Sequence, residues 1–338
     1  MAISIHTLRP EWRKSYEACH VEIPRKDDAV YVDCSVKLIS QKLTIRYLAF
    51  DSPEEVINLQ HHPEAYTAYI VCSGHFKFWN GNTCRHLQGG DFAFIPPGTT
   101  YGYQPLAPNS ELLRFKTLED QTDLLQAMRQ FHSNCFSSHP GQREVASVDA
   151  KVTCVPGSCR LPDLTCFSET ENTIPIIVEP YFLRLPVSPR WIFGGVMTRP
   201  CVKATHCEGK FSISAMETSD AHRVQPFLNR WLSFTRVDHC FCVVEGTFKI
   251  KFRGHVEWTL IRGGQAITVP ARQGFTVDVG SGFLRLVTIT NGTGIDELIC
   301  KAGYQCASLT LPETVSCWDG WDEVRFISAC SEVGALLG

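Results

Sequence analysis

The chain has 338 residues, of which 44% are hydrophobic and 20% charged, and its formal net charge is -3. This length is enough for two domains that each bury a core, and the composition is typical of a globular protein. The lack of a basic surplus argues against a nucleic-acid partner. Neither an apolar segment of signal-peptide type nor a run of about 18 apolar residues is present, so we expect a cytoplasmic protein without a membrane partner.

Short β-rich runs separated by Gly, Pro and Asn turns dominate the chain and predict a mainly β fold. In chain order these runs are KLTIRYLAF, AYTAYIVCSGHFKFW, DFAFIPPG, ELLRFKTL, KFSISAME, CFCVVEGTFKIKF, AITVPA and FLRLVTITNG. Helical periodicity is confined to LEDQTDLLQAMRQFH at residues 118–132, which predicts a helix after the first group of strands.

Two motifs occur twice at nearly the same spacing, which indicates a duplicated domain. CSGHFKFW around Gly74 is similar to VEGTFKIKF around Gly246, and LQGGDFAFIPPGTTYGY is similar to IRGGQAITVPARQGFTV. The Ser-, Pro- and Gly-bearing segment between the copies has no periodicity and is typical of a connection. We therefore expect an N-terminal barrel with its helix at 1–135, a linker at 136–172 and a C-terminal barrel at 173–338.

The repeated motifs resemble those of cupins, which are jelly-roll β-barrels with the patterns G(x)5HxH(x)3-4E(x)6G and G(x)5PxG(x)2H(x)3N. Gly90, Pro96 and Gly98 fit the second pattern in copy one, and Gly74 ends the first pattern. The segments GHFKFW, EPYFL and VVEGTFKIKF more narrowly resemble the fungal bicupin quercetin 2,3-dioxygenases. This resemblance implies a homodimer that binds copper or a similar divalent metal in its first barrel and cleaves a flavonol ring with dioxygen.

The metal-ligand positions implied by the resemblance are largely altered. In copy one the four positions hold Gln60, His62, Thr67 and Tyr101, so one expected ligand remains. In copy two the corresponding positions hold Leu232, Phe234, His239 and Phe275, and Arg272 replaces the motif glycine. Because a divalent metal usually needs about three imidazole or carboxylate ligands, we predict no metal and no cofactor. The alternative is a rearranged metal site that recruits His61 or Glu64 and keeps dioxygenase activity.

Polar groups that converge in an apolar barrel are typical of a small-molecule site. Copy one keeps such groups, whereas copy two is apolar at most of the same positions, so we predict that only the first barrel is functional. An imidazole can transfer protons near neutral pH, and a neutral phenol can stabilise a developing enolate. His62 and Tyr101 are therefore the predicted catalytic residues, with Gln60 and Thr67 orienting the substrate.

Further substrate contacts come partly from the resemblance, which implies that Tyr69, Tyr103 and Leu112 line the first barrel. Arg114 lies two residues after Leu112 in the same predicted strand, so strand alternation puts both side chains on the same face. Arg114 would there pair with an anionic substrate. An exposed, charged strand end is the alternative interpretation of Arg114.

Together these features predict a metal-independent bicupin enzyme of specialised metabolism. It would act on an aromatic or polyketide-like small molecule by cyclisation, dehydration, isomerisation or a pericyclic step. Two alternatives stay open at this point: a quercetinase-like dioxygenase with a rearranged metal site, and a non-catalytic protein that binds a small molecule.

Overall fold

The computed structural model describes residues 5–7, 30–32, 43–53, 59–117, 161–168, 172–225, 227–228, 230–280, 282–312 and 321–338. The helix predicted at 118–132 lies outside these residues, and so does most of the predicted linker at 136–172. The boundaries of the two domains therefore stay a prediction.

The described chain consists mainly of antiparallel strands. Those up to residue 117 are β1 (Ile5–Thr7), β2 (Val30–Val32), β3 (Leu43–Phe50), β4 (Gln60–His61), β5 (Thr67–Ser73), β6 (His75–Asn80), β7 (Thr83–Gln88), β8 (Asp91–Ile95), β9 (Thr100–Pro105) and β10 (Ser110–Thr117). The later ones are β11 (Tyr181–Arg184), β12 (Trp191–Phe193), β13 (Val196–Val202), β14 (Ser212–Ser219), β15 (Leu232–Phe234), β16 (His239–Glu245), β17 (Thr247–Phe252), β18 (Thr259–Arg262), β19 (Gln265–Val269), β20 (Phe275–Val279), β21 (Phe283–Thr290), β22 (Tyr304–Gln305) and β23 (Ala335–Leu337).

Helices make up a small part of the described chain. The α-helices within it are α1 (Ile295–Ala302) and α2 (Glu323–Val333), and short 3-10 helices occur at Leu185–Val187, Ala204–Cys207 and Asp220–His222. No helix among the described residues has the length and apolarity needed to cross a membrane.

Four sheets form two barrels. The first barrel combines a sheet of order β11-β8-β5-β10-β3-β2 with a sheet of order β4-β9-β6-β7. The second barrel combines the order β1-β19-β16-β21-β14-β13-β12-β22 with the order β18-β17-β20-β15-β23. The predicted mainly β fold with two jelly-roll barrels is confirmed.

The two halves exchange strands. β1, from the N-terminal end, pairs with β19 of the second barrel, with Ile5 opposite Ile267. β11, from the second copy, pairs with β8 of the first barrel, with Tyr181 opposite Phe94. Because β8 and β19 carry corresponding copies of the glycine-proline motif, the exchange is reciprocal, as expected of a duplicated fold.

Strand alternation divides the apolar side chains between separate cores. On β3, Leu48 and Phe50 point into the first barrel, whereas Ile45 and Tyr47 point out of it. The outward side chains join a second-barrel set that includes Ile213 in one continuous core between the barrels. Burial of this shared face, at about 25 cal/mol per Å² of apolar surface, holds the two barrels together.

Candidate functional site

Three of the residues at the ligand positions that the resemblance implies, Gln60, His62 and Tyr101, lie close together in the first barrel. Gln60 on β4 pairs directly with Tyr101 on β9. The Tyr101 hydroxyl donates a hydrogen bond to Oε1 of Gln60 at 2.8 Å. The His62 ring lies beside the phenol, with 5.8 Å between the ring centroids. Imidazole, phenol and amide therefore form one polar cluster.

The proline-glycine turn after β8 holds the backbone of His62 in place. Gly98 has a φ angle of +76°, in the left-handed region that favours glycine. Its N–H donates to the carbonyl oxygen of His62 at 2.8 Å. The proline-glycine turn thus positions His62.

Thr67 starts β5 and is completely buried. Its hydroxyl makes no hydrogen bond to any residue that the structure describes. A buried hydroxyl without a partner is unfavourable, so this group is suited to receive a polar atom of a ligand.

The predicted lining residues Tyr69, Tyr103 and Leu112 all lie in the apolar core of the first barrel. The ring centroid of Tyr69 lies 5.5 Å from that of Tyr103 and 5.2 Å from that of Phe78. The residues that were expected to line an open chamber thus pack against one another, because rings from three strands point into the same space. Gln60 and Tyr103 are partly exposed, so a ligand would reach this cluster from their side.

Arg114 is a buried residue of β10 and not an exposed strand end. It lies opposite Tyr69 on one side and opposite Arg46 on the other. Because opposite residues of neighbouring strands share a face of the sheet, both arginines lie on the interior face. Lys116 follows on the same face, opposite Thr67.

Sequence reasoning missed Arg46. Its parity with Leu48 on β3 was the available signal, but the pairing of β3 with β10 joins residues far apart in the chain. The structure places a second guanidinium beside the predicted Arg114, on the same face as Thr67.

The side chains present do not fit a divalent metal of the kind that the resemblance implies. The Gln60 oxygen already accepts the Tyr101 O–H, and His62 alone supplies an imidazole. Glu64 is exposed, and His61 pairs with Thr100 at the edge of the barrel. Among the described residues, no three His, Cys, Asp or Glu side chains are grouped closely enough to hold a metal ion. We therefore derive no chemical step through a metal.

The corresponding place in the second barrel is filled by core side chains. Phe234 and His239 are both buried, with 4.3 Å between their ring centroids. Nε2 of His239 accepts the backbone N–H of Ile295 at 3.1 Å. Burial lowers the pKa of His239 to about 3, so its ring is neutral at physiological pH. His239 is a structural residue that binds the start of α1.

Two barrels of this topology, with the cupin turn motifs at corresponding places, define a bicupin fold. A mutant of Bacillus subtilis oxalate decarboxylase OxdC is similar, with a TM-score of 0.50 and 14% identity over 80% of this chain and 75% of that chain. Oxalate decarboxylase from Bacillus subtilis at pH 4.6 gives a TM-score of 0.50 and 15% identity, over 80% of this chain and 73% of that chain. Another oxalate decarboxylase structure gives a TM-score of 0.52 and 14% identity, over 86% of this chain and 78% of that chain.

At such low identity these similarities show the fold alone. No family model and no curated protein matches the sequence. The cupin assignment is therefore confirmed at the level of the fold, and the narrower relationship to quercetin dioxygenases stays a prediction.

Proposed function

We propose that the protein is a metal-independent bicupin enzyme of specialised metabolism. Its substrate is an aromatic or polyketide-like small molecule that binds the N-terminal barrel on the partly exposed side formed by Gln60 and Tyr103, next to the packed aromatic rings. The observation that supports this most directly is the Tyr101–Gln60 hydrogen bond beside His62, in a barrel whose counterpart holds apolar side chains at most of the same positions.

Tyr101 acts as the hydrogen-bond donor in this proposal. Its O–H now donates to Gln60, and a substrate carbonyl oxygen takes the place of the Gln60 oxygen when it binds. As negative charge develops on the carbonyl oxygen, the bond from the phenol strengthens and stabilises the enolate. Gln60 then orients the substrate through its amide group.

His62 transfers the proton. The imidazole removes a proton from the carbon next to the carbonyl group in isomerisation or dehydration, or from a phenol oxygen in ring closure. It returns the proton to another atom of the same molecule: a carbon in isomerisation, the departing hydroxyl oxygen in dehydration, and the carbon next to the carbonyl group in ring closure. Atoms and charges balance without an oxidant, so the same step serves isomerisation, dehydration or ring closure. Alignment of the reacting atoms by the rigid barrel contributes further to the rate.

Arg114, Arg46 and Lys116 support an anionic substrate. Their shared position on the interior face beside Thr67 and Tyr69 favours a phenolate or carboxylate on the reacting molecule. A guanidinium group can bind such oxygens through two parallel hydrogen bonds.

The first prediction concerns ring closure of 2′-hydroxychalcone, in which the phenol oxygen adds to the enone and a proton moves to the neighbouring carbon. Protein dialysed against a chelator should accelerate this reaction, followed by the loss of chalcone absorbance. His62→Gln and Tyr101→Phe should each lower the rate about 100-fold, since each removes a proton-transfer group or a hydrogen-bond donor.

His255→Gln and Tyr304→Phe are matched controls, because both side chains are exposed in the second half of the chain, and both variants should keep the parent rate. Oxygen uptake with quercetin that requires added copper would instead establish a dioxygenase. Tight binding of quercetin and chalcone without any turnover would establish a binding protein.

A further inference from the structure

A cleft of about 740 Å³ is lined, among the described residues, by positions 167–168, 172–173, 184, 187, 189–190 and 305–307. Its volume is within the range of small-molecule sites, which is about 300–1,000 Å³. Two arginines, Arg184 and Arg190, line it together with neutral polar residues such as Asn172 and Gln305. No acidic side chain is among the described residues that line the cleft.

Arg190 is a buried cation that makes no ion pair with the residues that the structure describes. It is 7% exposed, and its one side-chain hydrogen bond within the described chain runs from Nη1 to the carbonyl oxygen of Pro186 at 3.3 Å. Its Nε is buried and makes no hydrogen bond there. Burial, reinforced by neighbouring Arg199, lowers the pKa of Arg190. Buried charges in proteins are normally paired, so this guanidinium is suited to an anion from outside the chain.

Arg199 provides a comparison within the same molecule. It is also buried, but its Nη1 contacts Oε2 of Glu217 at 2.7 Å. Glu217 also accepts a hydrogen bond from Arg285 at 3.0 Å. The Glu217 carboxylate is therefore already shared by two other guanidinium groups, and Arg190, which lines the cleft, makes no ion pair with it.

Arg184 is an exposed residue of β11 that also lines the cleft, and Asn172 holds its backbone. Asn172 accepts the Arg184 backbone N–H at 2.7 Å and donates to its carbonyl oxygen at 3.3 Å. The Arg184 guanidinium lies 5.2 Å from the ring centroid of Phe167. The backbone of Arg190 is fixed in a similar way, because its carbonyl oxygen accepts the N–H of Cys306 at 2.9 Å. The fold thus fixes the backbones of both arginines before any ligand binds.

We propose that this cleft is a binding site for a small organic oxyanion, whose carboxylate or phosphate group is held by Arg190 and Arg184. The neutral polar residues Asn172, Thr173 and Gln305 provide hydrogen bonds for hydroxyl or carbonyl groups on the remainder of the ligand. This site is separate from the cluster around His62.

The test is calorimetric titration of the full chain with inorganic phosphate and, separately, with benzoate, which distinguish a phosphate ligand from a carboxylate ligand. Saturable binding of one of these anions is expected. Arg190→Met should weaken it about tenfold or more, since a hydrogen-bonded charge pair is lost. Arg184→Gln should also weaken it. Arg262→Gln, which changes an exposed arginine outside the cleft, should bind like the parent chain.

Thermal unfolding of the same variants shows whether Arg190 has only a structural role. Because Arg190→Met removes an unpaired buried charge at similar volume, its melting temperature should equal or exceed that of the parent. A clear loss of melting temperature would overturn the proposal, and so would equal anion binding by Arg190→Met. The absence of saturable binding with both anions, or equal saturation by chloride, would overturn it as well. If His62→Gln loses chalcone turnover but binds the anion like the parent chain, the cleft and the cluster around His62 are separate sites.

Discussion

Gly98 and Arg272 occupy corresponding turns of the two barrels, and both have positive φ angles, +76° and +67°. The N–H of Gly98 donates to His62, and the N–H of Arg272 donates to Phe234, at 2.8 and 2.7 Å. The second copy therefore keeps the turn although Arg272 adopts the left-handed backbone conformation. That conformation costs a residue with a side chain about 1 kcal/mol. The turn persists without its glycine because its hydrogen bond ties two strands together.

This pair gives a prediction for single residues. Arg272→Gly should raise the free energy of unfolding by about 0.5–1 kcal/mol, because it relieves the left-handed conformation. Gly98→Ala should lower it by a similar amount, since an added Cβ meets no neighbouring atom there and only the φ angle is unfavourable. Urea unfolding of both variants checks this. A loss of stability in Arg272→Gly would show that the arginine side chain outweighs the backbone cost.

At the scale of an element, α1 is attached to the second barrel by polar groups at its N-terminal end. His239 accepts the N–H of Ile295, and Asp296 accepts hydrogen bonds from Ser212 and Ser214 at 2.9 and 3.1 Å. These bonds satisfy backbone and side-chain groups that would otherwise be buried without partners. The polar residues of this barrel end therefore serve the packing of a helix and not a ligand.

His239→Leu should lower the free energy of unfolding by about 1–3 kcal/mol at pH 7, because the Ile295 N–H loses its acceptor. The parent chain should also lose stability as the pH falls. Burial lowers the pKa of His239 to about 3 in the folded state, so its contribution is present above the ordinary value of 6.5 and is lost as the pH falls from there towards 3.

Urea unfolding between pH 4 and pH 8 measures both effects. The profile of His239→Leu should be flatter than that of the parent chain across this range. His255→Gln, at an exposed histidine, should leave the slope unchanged. Parallel profiles for the parent and His239→Leu would contradict the assignment of the acid sensitivity to His239.

At the scale of the whole molecule, the barrels are joined by a shared core and two exchanged strands. Ile45 and Phe115 of the first barrel belong to the same apolar cluster as Ile213 and Ile289 of the second. Tyr181 on the exchanged β11 also donates its O–H to the carbonyl oxygen of Cys201 at 2.6 Å. Neither barrel would keep its buried surface if the other unfolded.

We therefore expect one cooperative transition in calorimetry. Ile289→Ala should lower the stability of the whole chain by about 2–5 kcal/mol, since it leaves a cavity in the shared core. The matched variant Ile327→Ala changes an exposed residue of α2 and should have little effect. Two separate transitions, of which Ile289→Ala shifts only one, would contradict this coupling.

The sequence by itself determined the mainly β class, the duplication and the turns that carry the cupin motifs. These features depend on local physics: alternation of side chains along a strand, and glycines such as Gly74 and Gly246 at positions with positive φ angles. The resemblance to the cupin motifs also implied that Gln60, His62 and Tyr101 would be neighbours, as they are in the structure.

Only the tertiary structure decided which side chains meet across long separations in sequence. The position of Arg46 beside Arg114, the filling of the first barrel by aromatic rings and the exchange of β1 and β11 depend on strands that pair far apart in the chain. The burial of Arg190 without an ion pair to any residue that the structure describes is of the same kind, since no local pattern shows that Glu217 is already paired with other arginines. Local periodicity decides the elements, but the contacts that create a charged cleft or a filled interior arise only from packing.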